Sequence, residues 1–414
     1  MTTTASATPT GAPAAAADGA PQVPADLAER IGAIAEAARG RARRTEETRR
    51  VPAATLAELT EAGFFRLVRP RAFGGYETDF DVLAGHVLTL AAACPSTAWA
   101  CGLFAAHQWL VASFPEQAQH DVWGDGSEGL VCGSYAPTGV ARADGDGYRI
   151  GGRWAFASGS DGAQWAVCAA FLPGAAEGER GAPVFFLVPA ADYTVDRDWD
   201  VAGLGGTGSN SIVLDDVYVP AHRTLALSAT MSGDTPGAAV HAHNPAFRVP
   251  MLANIASCLA AVGVGAAAGA LADFERTAGA RRTRGALAGG GNPVAGFATV
   301  QLRVAEAAAS VDAAREVLLR DLRARAAATR EGRAVSVEER LLSRRGQAFA
   351  VLLASRAVEA VNGATGGRGL ALDNPIQRAW RDVGAVSRHI SLNWDAVGTM
   401  YGRSALGLEP QGQY

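Results

Sequence analysis

The run Gly203-Leu204-Gly205-Gly206-Thr207-Gly208-Ser209, with Ser211-Ile212-Val213-Leu214 and Asp215-Asp216-Val217-Tyr218-Val219-Pro220 behind it, decides how the rest of the chain is read. Clustered glycines punctuate regular structure, and the β-branched run behind them has residue types that suit a strand. Further short runs of that kind lie upstream: Tyr148-Arg149-Ile150, Trp154-Ala155-Phe156, Trp165-Ala166-Val167-Cys168 and Val184-Phe185-Phe186-Leu187-Val188. Asp144-Gly145-Asp146-Gly147 is a strong turn signal ahead of the first. Strands at this spacing, from about residue 130 to Val219, predict a compact antiparallel barrel or sandwich.

Outward from this region the period changes. Leu27, Ile31, Ile34 and Ala38 recur at helical spacing, and Pro52 suits the first turn of a helix carrying Leu56, Leu59 and Phe64. Leu67 to Gly75 breaks the pattern with Pro70 and the Gly74-Gly75 pair and reads as a loop. Apolar helices are predicted over Phe80–Ala93 and 96–112, and long helices over 246–403, interrupted by the Gly-rich stretch 285–296. The order is helical, β, helical. Residues 1–20 read as a disordered tail, 21–128 as an N-terminal helical domain, 129–235 as the β-domain and 236–414 as a helical bundle.

Composition narrows the function. Apolar residues make up 49% and charged residues 19%, the net charge is −4, and no long Lys/Arg run occurs. Nucleic acid and anionic membranes are therefore not expected partners. Val249 to Ala272 carries no charge and is long enough to span a bilayer. It is dominated by Ala and Gly, contains Pro250, Asn254 and Ser257, and lacks flanking aromatic anchors, so a central buried helix is expected. The N-terminal tail has neither a basic nor a Leu-rich segment of a signal peptide. The five cysteines show no CxxC spacing and read as small buried residues of a reducing compartment, which points to a cytoplasmic protein. His241 and His243 have no Cys, Asp or Glu within five residues, so a loop is expected there and no metal site.

Four local patterns resemble the acyl-CoA dehydrogenase superfamily. They are Pro70-Arg71-Ala72-Phe73-Gly74-Gly75, the Gly203–Ser209 run with Asp216-Val217-Tyr218-Val219-Pro220, Gly366-Gly367-Arg368-Gly369, and Arg378 with Arg381-Asp382. The resemblance implies an α+β fold: an N-terminal helical domain, a middle antiparallel β-barrel and a C-terminal four-helix bundle. A dehydrogenase of this fold needs a carboxylate to take the proton alpha to a thioester. Ala238 to Ala272 contains no Asp or Glu, and Arg381-Asp382 is followed by Val383 to Ile390 with no Glu-Gly-Thr. Dehydrogenation is therefore disfavoured.

His389 stands in that second region, and His107 stands in Phe104-Ala105-Ala106-His107-Gln108-Trp109. With Gly133-Ser134-Tyr135-Ala136-Pro137 and Trp154-Ala155-Phe156-Ala157-Ser158-Gly159, this is similar to the two-component flavin-dependent monooxygenase branch, which includes the oxygenase of p-hydroxyphenylacetate hydroxylase. The branch uses reduced flavin, FMNH2 or FADH2, from a separate NAD(P)H-dependent flavin reductase. Dioxygen adds at C4a, and the resulting hydroperoxide hydroxylates an aromatic, phenolic or polycyclic small molecule. N-oxygenation of an amine or amino sugar is the alternative on the same scaffold, and acyl-CoA dehydrogenation a more distant one. Members are commonly homotetramers.

The resemblance also assigns roles. His107 is the expected general base or substrate anchor, since a neutral imidazole can take a phenolic proton. His389 is expected to line the flavin–peroxide site, and on a helix continued from Arg381 the two would share a face. Ser134 is expected to hydrogen-bond near flavin N5, with Tyr135 beside it, and Ser158 to meet the pyrimidine edge. Trp154 or Phe156 would pack on the ring. Arg281 or Arg284 would reach a flavin phosphate, often across a subunit interface, and Gly366 and Gly367 would approach the cofactor by backbone. Trp109 and Trp394, close in sequence to the histidines, are candidates to line the substrate pocket, with core packing as their other reading.

Overall fold

The computed structural model describes residues 21–174, 180–283 and 291–414. Helix α1 (Leu27–Thr48) buries Leu27, Ile31, Ala35, Ala38 and Ala42 along one stripe. After Pro52, α2 (Ala53–Ala62) runs to Gly63, whose φ of 83° ends it. In the loop that follows, buried Arg69 donates from Nε to Gln108 Oε1 at 2.9 Å and from its terminal nitrogen to Glu128 at 2.7 Å. A Cβ at Gly75 would overlap the Arg69 carbonyl, so this glycine is a matter of space. Helices α3 (Phe80–Ala93), α4 (Pro95–Val111) and α5 (Glu116–Trp123) complete the N-terminal domain. Of the 17 residues of α4, every one but Leu103 is buried.

The middle domain is one sheet of β1 (Val131–Asp144), β2 (Gly147–Ala157), β3 (Trp165–Pro173), β4 (Arg180–Pro189), β5 (Thr194–Asp196), β6 (Asn210–Pro220) and β7 (Thr224–Ala226). Their order is β5-β6-β2-β1-β3-β4-β7. The predicted turn closes the β1–β2 hairpin, with Asp144 opposite Gly147 and Gly145 at φ 57°. The sheet is not wholly antiparallel, because β1 and β3 run parallel. The hairpin returns the chain to the foot of β1, and β3, launched from there, must run the same way.

The C-terminal domain holds α6 (Leu227–Ser232), α7 (Pro236–Val240), α8 (Met251–Ala278), α9 (Ala298–Arg330), α10 (Val337–Gly363), α11 (Pro375–Val386) and α12 (Trp394–Ala405). The charge-free stretch became α8, which packs against α3, α4, α9, α10 and α11. At Gly269 a Cβ would overlap the Ala92 carbonyl, so glycine brings α8 onto the end of α3. α10 opens with a capping box in which Ser336 and Glu339 satisfy each other's backbone N–H groups.

The glycine run that organised the sequence lies at the seam between domains. Leu204 N donates to Asp382 Oδ1 at 2.6 Å, Arg381 donates to Ala202 O at 2.6 Å and pairs with Glu46, and Gly206 N donates to Ser96 Oγ at 3.2 Å. One expectation is corrected here: α11 ends at Val386 and does not carry Arg381 and His389 on one helical face. The chain tightens into turns, with His389 N bonded to Val386 O at 3.1 Å, and the His389 ring accepts the Ser391 N–H at 3.2 Å. A side chain that captures a nearby backbone donor competes with helix continuation.

Candidate active site

Trp99, Leu103 and His107 recur every fourth residue, so one face of α4 carries all three. Leu103, half-exposed in an otherwise buried helix, marks where that face is open.

At one end of the face stands His107, buried, with Nδ1 2.6 Å from Val131 O and Nε2 2.6 Å from Tyr135 Oη. A carbonyl only accepts, so Nδ1 carries the proton, and Nε2 accepts the Tyr135 O–H. Burial pushes the His107 pKa down to about 4, against a smaller opposing effect of the Val131 hydrogen bond. Burial also pushes the Tyr135 phenol up. Both groups are neutral at pH 7, and the imidazole has no free nitrogen.

Near the other end, the Trp99 indole N–H donates to Ser158 Oγ at 3.0 Å, and its ring meets His389 edge-on with centroids 5.6 Å apart. His389 Nδ1 accepts the Ser391 N–H, so the proton of the neutral ring sits on Nε2, which has no partner among the described residues. Burial, and then the Arg344 guanidinium, push the His389 pKa down to about 4. The two histidines are thus neutral and of opposite tautomer. Among the described residues no carboxylate bonds to either. The first acid of α8, Asp273, is engaged by Arg39 and Arg276.

The structure gathers some of the predicted residues and separates others. Ser134 pairs with Cys168 on the sheet face that carries Phe186, whereas Tyr135 packs on Phe185, with ring centroids 5.2 Å apart. Neighbours on a strand face opposite sides, so Ser134 and Tyr135 do not serve one surface. The Ser134 hydroxyl makes no side-chain hydrogen bond among the described residues and touches neither imidazole. Trp154 is corrected from a ring-packing role to the sheet interior. It is wholly buried, wedged against Gly139 and Gly152, and donates its N–H to Ala169 O at 2.6 Å. Phe156, by contrast, is 70% exposed, and its φ of 65° is rare for a bulky residue.

Trp109 is buried, donates to Ala246 O at 3.0 Å and meets Phe80 edge-on. Trp394 packs on Phe349 in the cluster between α10 and α12. For both tryptophans the contacts are those of core packing. Arg281 donates to Thr365 O, beside Gly366, which is at φ 66° and ψ −168°, a region open essentially only to glycine. Arg281, Gly366 and Gly367 therefore share a place of their own, apart from the histidines. Arg281 lies past Ala278, the end of α8, which is itself roughly 14 Å along the helix from Gly269 at 1.5 Å per residue. Arg284 lies outside the described residues. Sequence reasoning missed Trp99, although its spacing from His107 along α4 was the available signal. It also missed that His107 and Tyr135 are partners, a contact between a helix and a strand that no local pattern announces.

Comparison with known proteins places this geometry. Residues 257–394 match the family described as acyl-CoA dehydrogenase, C-terminal domain. The chain is 56% identical to the oxygenase component of an FADH2-dependent resorcinol hydroxylase from Rhizobium sp. (strain MTP-10005), covering 94% of this chain and 96% of that one. Its structure is similar to the crystal structure of 3-HSA hydroxylase from Rhodococcus sp. RHA1, with a TM-score of 0.88, 34% identity and coverage of 94% and 98%. It is also similar to XiaF from Streptomyces sp. in complex with FADH2 and glycerol, with a TM-score of 0.85, 29% identity and coverage of 94% and 96%. Fold and sequence together define a flavoenzyme of acyl-CoA dehydrogenase architecture, with two neutral histidines beside α4 to which no carboxylate bonds among the described residues. The chain belongs to the oxygenase components of the two-component flavin-dependent monooxygenases. It is an aromatic hydroxylase that uses reduced flavin.

The residues present fit a flavin. Its ring system is flat, apolar on its faces and polar along one edge. Trp99 and Phe156 stand in sequence or in contact beside Ser158, and the His389 N–H and the Ser134 hydroxyl are polar groups without protein partners among the described residues.

Proposed function

We propose that this enzyme hydroxylates a small phenol of the dihydroxybenzene type, such as resorcinol, using reduced FAD supplied by a separate NAD(P)H-dependent reductase. The observation that carries this reading is the His107–Tyr135 hydrogen bond at the end of an apolar helix face. It is a proton-accepting device with no charge of its own, in a chain similar to a resorcinol hydroxylase component.

When bound, reduced flavin supplies the electrons and activates dioxygen. The protein positions the substrate and excludes water, and the apolar α4 and α8 suit that task. His107, with its pKa near 4, does not hold the proton of a phenol whose pKa is about 10; equilibrium transfer would cost about 8 kcal/mol. It acts as acceptor only while the ring gives up electrons, when the phenolic hydroxyl becomes strongly acidic. His389 offers its Nε2–H to an oxygen that gains negative charge, as a fixed dipole in a dry site. Ser134 and Ser158 hold the flavin edge, Phe156 covers a ring face, and Arg281 with Gly366 and Gly367 receives the phosphates. The reading carries with it a cytoplasmic homotetramer, whose assembly would cover exposed Leu302, Leu370 and Ile390.

The test is turnover with a flavin reductase, resorcinol and either FAD or FMN. We expect trihydroxybenzene with little hydrogen peroxide, and faster with FAD. Peroxide alone with every phenol offered, together with oxygenation of an amine, would overturn the reading.

A further inference from the structure

His107 is reached only through its neighbour. Its Nδ1–H is committed to Val131 O and its Nε2 to Tyr135 Oη, and the ring is 2% exposed. Tyr135 is half-buried, packed on Phe185, with the Cys258 thiol of α8 nearby. Its phenol donates its single proton to His107 and keeps acceptor capacity, for which the described residues supply no donor. A substrate hydroxyl approaching the His107 end of the open Leu103 face therefore meets Tyr135 Oη before it meets either nitrogen of His107.

We propose that Tyr135 is the residue that touches the substrate hydroxyl and relays its proton to His107. This inference rests on the phenol-hydroxylase reading above. In the step, a ring carbon gives an electron pair to one oxygen atom of dioxygen that reduced flavin, when bound, would already have reduced by two electrons; a C–O bond forms while the single bond between the two oxygen atoms breaks, its electron pair leaving with the second oxygen. The substrate hydroxyl oxygen becomes a carbonyl oxygen. Its proton passes to Tyr135 Oη as the Tyr135 proton passes to His107 Nε2, leaving a neutral tyrosine and an imidazolium. When the ring carbon sheds its hydrogen as a proton, which ends on the newly bonded oxygen, the carbonyl oxygen takes back a proton along the same pair and the aromatic ring is restored. Over the cycle the substrate gains one oxygen atom. The second leaves as water, with both electrons and both hydrogens of that water drawn from reduced flavin. Burial keeps tyrosine and histidine neutral at rest, so the imidazolium forms only during the step and returns its proton as the ring is restored.

The test is Tyr135→Phe in the intact enzyme supplied with reduced flavin. The ring still packs on Phe185, so flavin affinity and oxygen consumption serve as controls for folding. We expect hydroxylation to fall about 100-fold while oxygen consumption persists as hydrogen peroxide. The residual rate should also depend more steeply on the pKa of ring-substituted phenols than in wild type. Combined with His107→Ala, the loss should be no greater than that of the worse single variant, because one chain is cut twice. Hydroxylation within twofold of wild type, or losses that multiply, would overturn the relay. If Tyr135→Phe fails to fold, 3,5-difluorotyrosine at position 135 keeps the shape and lowers the phenol pKa; an unchanged pH profile of hydroxylation would then overturn it. Should wild type itself fail to hydroxylate phenols, the functional reading fails first, and that result is distinct from an active wild type with an equally active Tyr135→Phe.

Discussion

The domain seam around Gly203–Ser209 and the open face of α4 are built on opposite rules. At the seam most polar groups are matched: Leu204 N to Asp382, Arg381 to Ala202 O and Glu46, Gly206 N to Ser96, Thr207 Oγ1 to Leu204 O, with one terminal nitrogen of Arg381 left over among the described residues. On the α4 face, groups keep something without a partner among the described residues: the Nε2–H of His389 and the acceptor lone pairs of Tyr135. Two of the motifs that make the superfamily recognisable, the Gly203–Ser209 run and Arg381-Asp382, are therefore joints. Separate damage to each region should give separate symptoms.

The largest effect is expected at the seam. A Cβ on Gly203 would overlap the Arg381 carbonyl and press on Ala385, and neither backbone can give way without moving α11. Gly203→Ala should cost about 3 kcal/mol, seen as a lower urea midpoint, because overpacking of this kind falls at the upper end of its range. The folded fraction should keep its ratio of hydroxylated product to peroxide. A variant of normal stability that releases mostly peroxide would show that seam and pocket are one unit, and the contrast would break.

This division explains what could be read from the chain and what could not. Helix α3 was predicted to the residue, and the β1–β2 turn was placed, because glycine, proline and apolar period act locally. The buried α8 was legible because a charge-free run without aromatic anchors suits a protein core. The parallel pairing of β1 and β3 was not legible, since it depends on where a hairpin delivers the chain. Trp154 and Phe156 share one local pattern, yet one is wedged between glycines and the other stands in solvent, a difference set by contacts distant in sequence. The His107–Tyr135 pair spans a helix and a strand, and only its two members, not their bond, could be named in advance.

A smaller effect separates charge from hydrogen bonding within the seam. Burial raises the Asp382 carboxyl pKa to about 6, against the lowering effects of the Leu204 hydrogen bond and of Arg381 and Arg378, with Glu46 adding to the rise. A carboxyl whose pKa is raised in the fold favours the native state while protonated. That stability is fully present below about pH 4 and is lost as pH rises through about 6. The loss is roughly 2 to 3 kcal/mol. Asp382→Asn keeps an oxygen to accept the Leu204 N–H but cannot ionise. Relative to wild type it should gain about that amount between pH 4 and pH 7 in paired urea titrations. A difference that stays constant across the window would mean that Asp382 is no harder to ionise folded than unfolded.

The smallest effect tests the pocket alone. His389 lies past the end of α11, its ring aligned by the Ser391 N–H and the edge of Trp99, and nothing at the seam depends on it. Removing the ring should leave the unfolding midpoint close to wild type. The single N–H it offers to an oxygen gaining charge is a charge-assisted bond, worth about 1.5 kcal/mol at the low end, or roughly tenfold in rate. His389→Ala should therefore shift the product-to-peroxide ratio about tenfold towards peroxide at every pH above about 5, where the wild-type ring is already neutral. His389→Gln, which can still present an N–H, should recover part of that shift. Full activity in the alanine variant would assign His389 to packing against Trp99 and leave Tyr135 and His107 as the whole of the chemistry on the α4 face.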